Sequence, residues 1–158
     1  MEQEFSPRRC KDTRKPPADQ CPEVAFYRCP ACKALYPVTG GKDLENKQIQ
    51  CCGHMAERLI PTPAASAADI MAVSYEITGG YNDNTVRVSW KSKPYGRRPE
   101  WVYLKTFTGG YLKYVSDTKR PPLAFALADT DAFCYCDEDP CLECVFPSKR
   151  GFMVYVYD

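Results

Sequence analysis

Eight of the ten cysteines lie in two short clusters, and their thiols are the side chains of this sequence best suited to chemistry. The first cluster is Cys29, Cys32, Cys51 and Cys52, and the second is Cys134, Cys136, Cys141 and Cys144. Four thiolates brought together by short loops suit a tetrahedral metal site, because sulfur is a soft donor. A disulfide framework is the alternative, and it belongs to oxidising compartments.

The amino-terminal segment decides between these interpretations. It reads MEQEFSPRRCKDTRKPPADQ, which is charged and has no apolar stretch typical of a signal peptide. No apolar run approaches the length that spans a bilayer. We therefore expect a cytoplasmic protein with reduced thiols, in which clustered cysteines are metal ligands. Residues 1–20 are predicted to be a disordered or loosely packed tail, with Cys10 and Cys21 as free thiols.

The charge balance gives no support to nucleic-acid binding. The formal net charge is +1 with every cysteine neutral, and eight thiolates holding two divalent ions would change it by about −4. The basic residues Lys91, Lys93, Arg97 and Arg98 form one local patch. A solvated loop is the simplest interpretation of that patch, and docking of an acidic partner or small anion is the alternative.

The two halves of the first cluster have different local chemistry. Cys29 and Cys32 form a C-x-x-C knuckle, a tight turn whose amides can donate to the sulfurs. Cys51 and Cys52 are adjacent, and neighbouring side chains on an extended segment point apart, so both can bind one ion only if the backbone is kinked. Gly53 permits such a kink. With four thiolates present, the following histidine, His54, is interpreted as a surface residue.

The second cluster has the spacing of one compact mononuclear site. Cys134 and Cys136 alternate onto one face of a strand, about 6.6 Å apart, and Cys141-x-x-Cys144 is a second knuckle. Metal binding is the favoured interpretation, with a redox disulfide or unligated thiols as alternatives. The acidic residues 137–139 are most simply a solvated turn, and the alternative is that one of their carboxylates replaces a sulfur as an oxygen ligand. Four-sulfur tetrahedra suit both iron and zinc, so the metal is undetermined.

The elements that must position these clusters are mostly strands. We expect a small metal module over residues 21–62, a small-residue linker over 63–70 and an antiparallel β-sandwich of the immunoglobulin kind over 71–158. In TVRVSW, Val86, Val88 and Trp90 alternate onto one face. Gly109 and Gly110 are predicted to supply the positive φ of a tight hairpin.

The first cluster also resembles a known module. The segments FYRCPACKALYPVTGG and IQCCGHM resemble the amino-terminal, rubredoxin-like domain of desulfoferrodoxins, which holds one iron on four cysteines. The shared features are the aromatic residue before the knuckle, the glycine pair, the adjacent cysteines and the Gly and Met that follow. The loop KDLENKQ is longer than usual, and the proline common before Met55 is missing. The resemblance implies that Cys29, Cys32, Cys51 and Cys52 bind iron.

The resemblance extends to the second half but not to its active centre. In that family a β-sandwich carries the superoxide reductase iron on four histidines and one cysteine, and TVRVSWKSKPYGRRPEWVYLKTFTGGYLKYV resembles its middle. By that alignment Cys136 matches the thiolate ligand, Asp139 replaces a histidine, and residues around Tyr95 and Arg97 replace the loop histidines. His54 is the only histidine of the chain. The four-histidine centre therefore cannot be built.

The sequence favours a small redox metalloprotein with one iron on the first cluster, one-electron transfer, and a second metal, iron or zinc, in the sandwich. A non-catalytic binding module stabilised by zinc is the alternative, because structural zinc contributes folding free energy directly. A remodelled superoxide reductase ranks third, because such a centre needs an open coordination position. We expect a redox partner protein, no nucleic-acid or membrane partner, and consider the sandwich a candidate surface for a homodimer.

Overall fold

The structure, a computed structural model, describes residues 21–78, 84–93, 96–128, 131–134, 149–150 and 152–158. The predicted tail, residues 1–20, lies outside the described residues. The chain divides into two compact units. One is Pro22–Pro63, and the other takes in Ala64–Asp158 together with Cys21, which is buried. Within the described residues, no helix has the length and apolar character needed to cross a membrane.

The first unit contains two small antiparallel sheets. Its strands are β1 (Val24–Arg28), β2 (Leu35–Thr39), β3 (Gln50–Cys51), β4 (His54–Met55) and β5 (Glu57–Leu59), with a 3₁₀ turn at Leu44–Asn46. β1 lies between β2 and β5, and β3 pairs with β4 as a separate hairpin. One buried cluster of this unit contains Ala25, Tyr27 and Leu44, with Tyr36, Val38, Ile49 and Ala56 packed against them.

Tyr27 anchors the long loop between β2 and β3. Its hydroxyl donates to the carbonyl of Leu44 at 2.5 Å and accepts from the backbone N–H of Lys47 at 3.0 Å. Arg58 of β5 adds an ion pair with Glu45 of the same loop at 3.0 Å. A buried tyrosine hydroxyl needs such partners, because leaving it without a hydrogen bond is costly. The loop is thereby held as it leads into β3 and Cys51.

The second unit is built from two three-stranded antiparallel sheets. After a short helix, α1 (Ala64–Ala67), its strands are β6 (Met71–Thr78), β7 (Asn84–Ser92), β8 (Trp101–Thr106), β9 (Gly109–Tyr114), β10 (Leu123–Leu127), β11 (Phe133–Cys134), β12 (Lys149–Arg150) and β13 (Met153–Tyr157). The strand orders are β10-β7-β6 and β13-β8-β9, and β11 pairs with β12.

A shared apolar core confirms that these two sheets form the predicted antiparallel sandwich. Val86, Val88 and Trp90 of β7 are buried, as their alternation predicted. They belong to one cluster with Val102 and Leu104 of β8, from the opposite sheet. The remaining buried members of that cluster are Met71, Val115, Leu123, Phe125, Leu127 and Ala132. The mostly β fold predicted from strand periodicity is therefore present.

The two glycines of the β8–β9 hairpin have different roles. Gly109 has a φ of 143°, which L side chains rarely adopt. Gly110 does not have a positive φ, so the prediction that both glycines supply one is wrong for Gly110. A Cβ at Gly110 would collide with the ring of Tyr103, two residues before its cross-strand partner Lys105. Gly110 therefore leaves room for the buried tyrosine.

A buried carboxylate ties the segment after β10 to the β8–β9 hairpin. Asp131 is 3% exposed. Its Oδ1 accepts from the hydroxyls of Thr106 and Thr108, and its Oδ2 accepts from the Tyr111 hydroxyl and the Ala128 N–H, both at 2.9 Å. Burial opposes ionisation, but these four donors outweigh it and hold the pKa of Asp131 below its ordinary value. The charged form is thus the one that this site accommodates.

Candidate metal centre

The first two cysteines are placed by the turn that joins β1 to β2. Cys29 follows β1 directly, and its N–H donates to the carbonyl of Ala34 at 3.0 Å. The N–H of Lys33 donates back to the carbonyl of Cys29 at 3.0 Å, with Lys33 in the left-handed region at a φ of 62°. These bonds close the C-x-x-C knuckle and bring Cys29 and Cys32 to one side of the turn.

The adjacent cysteines occupy a tight hairpin. Cys51 ends β3 and pairs with His54 of β4, so that Cys52 and Gly53 form a two-residue loop. Both loop residues have positive φ, 53° for Cys52 and 74° for Gly53, which is the signature of a type I′ turn. The predicted kink is therefore present, and it involves Cys52 itself as well as Gly53. The turn brings the Sγ atoms of Cys51 and Cys52 to 3.8 Å.

The knuckle and the hairpin bring all four sulfurs together. The Sγ atoms of Cys29, Cys32, Cys51 and Cys52 lie within 4.8 Å of one another, and those of Cys32 and Cys51 are 3.5 Å apart. In a regular tetrahedron with metal–sulfur bonds of about 2.3 Å, neighbouring sulfurs are about 3.8 Å apart. The donor type, number and spacing therefore fit one tetrahedral ion. This cluster can hold a metal ion.

Exposure differs across the cluster. Cys29 is fully buried and Cys51 is half-buried, whereas Cys32 and Cys52 are exposed. His54 is exposed as well, and it is not among the clustered donors. The cluster thus has one side covered by its module and one edge that solvent or another protein can reach.

The thiols change one another's acidity because they are so close. The Ala34 N–H and then the Cys51 thiol lower the pKa of Cys32 to about 7. The neighbouring thiols of Cys32 and Cys51 raise the pKa of Cys52 to about 12. Four adjacent thiolates without a cation repel one another, and a bound metal ion removes that penalty by its own charge. The arrangement is suited to a cation.

Tyr36 contacts the cluster, and the sequence analysis did not identify it. Its hydroxyl donates to the Sγ of Cys51 at 2.9 Å. That bond, burial and the charge of the neighbouring thiols raise the pKa of Tyr36 to about 12. Alternation along β2 indicates that Tyr36 and Val38 share a face, but the contact with Cys51 needs the loop and hairpin in place.

The second cluster lies mostly outside the described residues. The backbone of Cys134 lies in β11 opposite Lys149 of β12. The side chain of Cys134, and all of Cys136, Cys141 and Cys144, are not described. The second metal site therefore stays a prediction.

Two arginines of the predicted basic patch have acidic partners. Arg97 forms an ion pair with Asp158 at 2.6 Å, and Arg98 pairs with Asp117 while donating to the carbonyl of Val115 at 2.7 Å. Exposed pairs of this kind contribute little to stability. They do reduce the positive charge available to an anion, which favours the interpretation of a solvated loop.

Fold and site together define a mostly β protein with a four-cysteine cluster that can hold a metal ion. No protein-family model and no curated protein matches the chain. Among solved structures, the chain is similar to the superoxide reductase from Treponema pallidum, with a TM-score of 0.45 and 17% sequence identity over 68% of this chain and 82% of that one. Membership of the desulfoferrodoxin family stays a prediction.

Proposed function

We propose that the chain is a small redox metalloprotein whose first cluster holds one iron ion and passes single electrons. The observation that carries the proposal is the convergence of four Sγ atoms within 4.8 Å. Four thiolates fill a tetrahedron and leave no position for a substrate. A bound iron would supply a one-electron couple, and the residues around it would hold the ligand geometry nearly constant.

The protein holds one side of the cysteine cluster rigidly and leaves the other side accessible to a partner protein. The hydrogen bonds of Cys29 with Ala34 and Lys33 hold the backbone of the knuckle, and a rigid ligand geometry limits reorganisation. Water is kept from the buried Cys29, whereas the exposed Cys32 and Cys52 form an edge for a redox partner protein. This edge supports electron transfer to another protein rather than conversion of a small substrate.

A second metal site in the sandwich belongs to the same proposal. Cys134, Cys136, Cys141 and Cys144 have the spacing of a closed thiolate site for iron or zinc. The family resemblance of the sequence, in which Cys136 aligns with a metal thiolate, supports it. A superoxide reductase centre is not proposed, because its histidines are absent from the sequence.

The alternative function is a non-catalytic binding module stabilised by zinc. The small size of the Pro22–Pro63 unit favours it. Units of about 40 residues usually need a metal, disulfides or a partner to fold. Zinc on the same four thiolates would stabilise this unit without redox chemistry.

Metal analysis and visible absorption of aerobically purified protein separate the two functions. Iron gives thiolate-to-ferric charge-transfer bands, and zinc gives a colourless protein. Cys51→Ser should bleach or shift the bands of the first site, measured in a Cys141→Ser/Cys144→Ser background that removes the second. Cys21→Ser, a buried cysteine outside the cluster, is the matched control and should leave the bands unchanged. Unchanged metal content and spectrum in Cys51→Ser would overturn the proposal.

A further inference from the structure

We propose that Tyr36 is a positioning residue that tunes the first metal site through its hydrogen bond to the Cys51 sulfur. The inference rests on the proposed function, since it concerns the iron of the same cluster. The Tyr36 hydroxyl lies 2.9 Å from the Cys51 Sγ and has the geometry of a donor. A neutral hydroxyl that donates to a thiolate withdraws electron density from it and stabilises its charge.

The position of the Tyr36 hydroxyl is fixed by packing rather than by the bond alone. Tyr36 is half-buried on β2 and its ring packs against the core of the unit. Its cross-strand partner in β1 is Tyr27, whose own hydroxyl is engaged with Leu44 and Lys47. Two tyrosines on one face therefore have separate tasks, one holding the loop and the other reaching the cluster. A donor held in place by packing needs little rearrangement when the charge of the sulfur changes.

The Tyr36 hydroxyl donates to Cys51, which is the half-buried one of the two adjacent cysteines. Cys52 is exposed, so water can donate to its sulfur. Cys51 is half-buried, and the Tyr36 hydroxyl supplies a donor that water would otherwise provide. The two neighbouring ligands thereby differ in what stabilises their charge.

The net charge of the iron and its four thiolates decides whether Tyr36 raises or lowers the reduction potential. One ferric ion on four thiolates has a net charge of −1, and adding one electron makes it −2 while no bond forms or breaks. A hydrogen-bond donor stabilises the more negative state more strongly. Tyr36 should therefore raise the reduction potential.

The test is Tyr36→Phe, which keeps the ring and removes the hydroxyl. We expect the equilibrium between ferric and ferrous iron to move about tenfold toward the ferric form. For a one-electron couple this corresponds to a reduction potential that is lower by about 59 mV. The thiolate-to-ferric bands should move to lower energy, because Cys51 becomes a stronger electron donor. Tyr27→Phe is the matched control: it removes a hydroxyl from the same face without touching sulfur. Tyr27→Phe should lower the melting temperature and change the reduction potential much less than Tyr36→Phe does.

A cobalt-loaded protein keeps this test independent of the native metal. If purified protein holds zinc alone, the proposed redox function fails, yet Tyr36 can still be examined with Co²⁺ on the same thiolates. Tyr36→Phe should then shift the thiolate-to-cobalt band and increase metal loss to a chelator about tenfold, while Tyr27→Phe shifts the band much less. An unchanged band and chelator affinity in Tyr36→Phe would overturn the inference, as would equal shifts in both variants.

Discussion

Cys51 and Cys52 are neighbours in sequence but reach the cluster from different backbone conformations. Cys51 lies in a strand, and Cys52 has a φ of 53° in the following turn. Because the left-handed region is unfavourable for a residue with a side chain, the turn needs compensation from the hairpin and from Gly53. A metal bond to the Cys52 sulfur would add to that compensation.

At the residue scale, Asp131 predicts acid-dependent stability. Its folded-state pKa is lowered, mainly by the Ala128 N–H and by Thr108, Tyr111 and Thr106 acting against burial. Its contribution is therefore fully present above the unfolded pKa of about 3.9 and is lost as pH falls through the folded value. Asp131→Asn should cost about 1–3 kcal/mol at neutral pH, since a charged acceptor is lost.

Urea unfolding of wild type and Asp131→Asn from pH 7 down to pH 2 measures this effect. The stability difference between the two proteins should shrink toward acid as the wild-type carboxylate becomes protonated. Asp117→Asn is a suitable control, because Asp117 is an exposed carboxylate paired with Arg98. A difference between wild type and Asp131→Asn that stays constant over this pH range would contradict the assignment.

At the scale of elements, two short hairpins create the cluster. The β1–β2 turn provides Cys29 and Cys32, and the β3–β4 turn provides Cys51 and Cys52. β1 and β2 pair over five residues, whereas β3 and β4 pair over two. A two-residue ladder is weak by itself, so the conformation of its turn decides where Cys51 and Cys52 point.

Gly53→Ala tests the contribution of that turn. Gly53 has a φ of 74° and no atom within 4 Å of an added Cβ, so the penalty is conformational rather than steric. We expect a loss of about 1–2 kcal/mol in the unfolding free energy of the first unit, together with weaker metal binding. Calorimetry and chelator competition measure the two effects.

Gly41→Ala is the matched control within the same unit. Gly41 has no positive φ, and its added Cβ would make an ordinary contact with Leu44 at 3.7 Å. This variant should keep stability and metal affinity close to those of the wild type. Equal losses in Gly41→Ala and Gly53→Ala would mean that the left-handed turn is not what orients the ligands.

At the scale of the whole molecule, the two units differ in size and therefore in how much apolar core each can build. The sandwich core joins both sheets through a cluster of eleven buried residues, whereas the Pro22–Pro63 unit has only about 40 residues, a length at which a core alone is marginal. A metal ion that binds the folded form stabilises it by about 4 kcal/mol when its concentration exceeds Kd by about 1,000-fold. The Pro22–Pro63 unit should therefore depend on its metal more than the sandwich does.

Hydrogen exchange of metal-loaded and chelated protein tests this dependence unit by unit. Chelation should remove protection from β1, β2 and β5 while much of the protection of β7 and β8 persists. Cys141→Ser/Cys144→Ser should lower the melting temperature of the sandwich if its cysteines bind metal as proposed. Full protection of β1 after metal removal would show that the first unit folds without an ion.

The sequence alone predicts the features that depend on local order. The C-x-x-C spacing and the adjacent cysteines indicated the first cluster, and alternation in β7 indicated the inward face of Val86, Val88 and Trp90. Local spacing and periodicity carry this information because backbone geometry fixes which neighbours share a side.

Tertiary structure decided the features that join distant residues. The bond from Tyr36 to Cys51, the burial of Asp131 and the space that Gly110 leaves for Tyr103 have no local sequence signal. Each depends on how strands and loops pack after they form, since a side chain's partner is set by contacts across the fold. The sequence thus determined which residues can bind a metal, and packing determined which side chain donates to their sulfur.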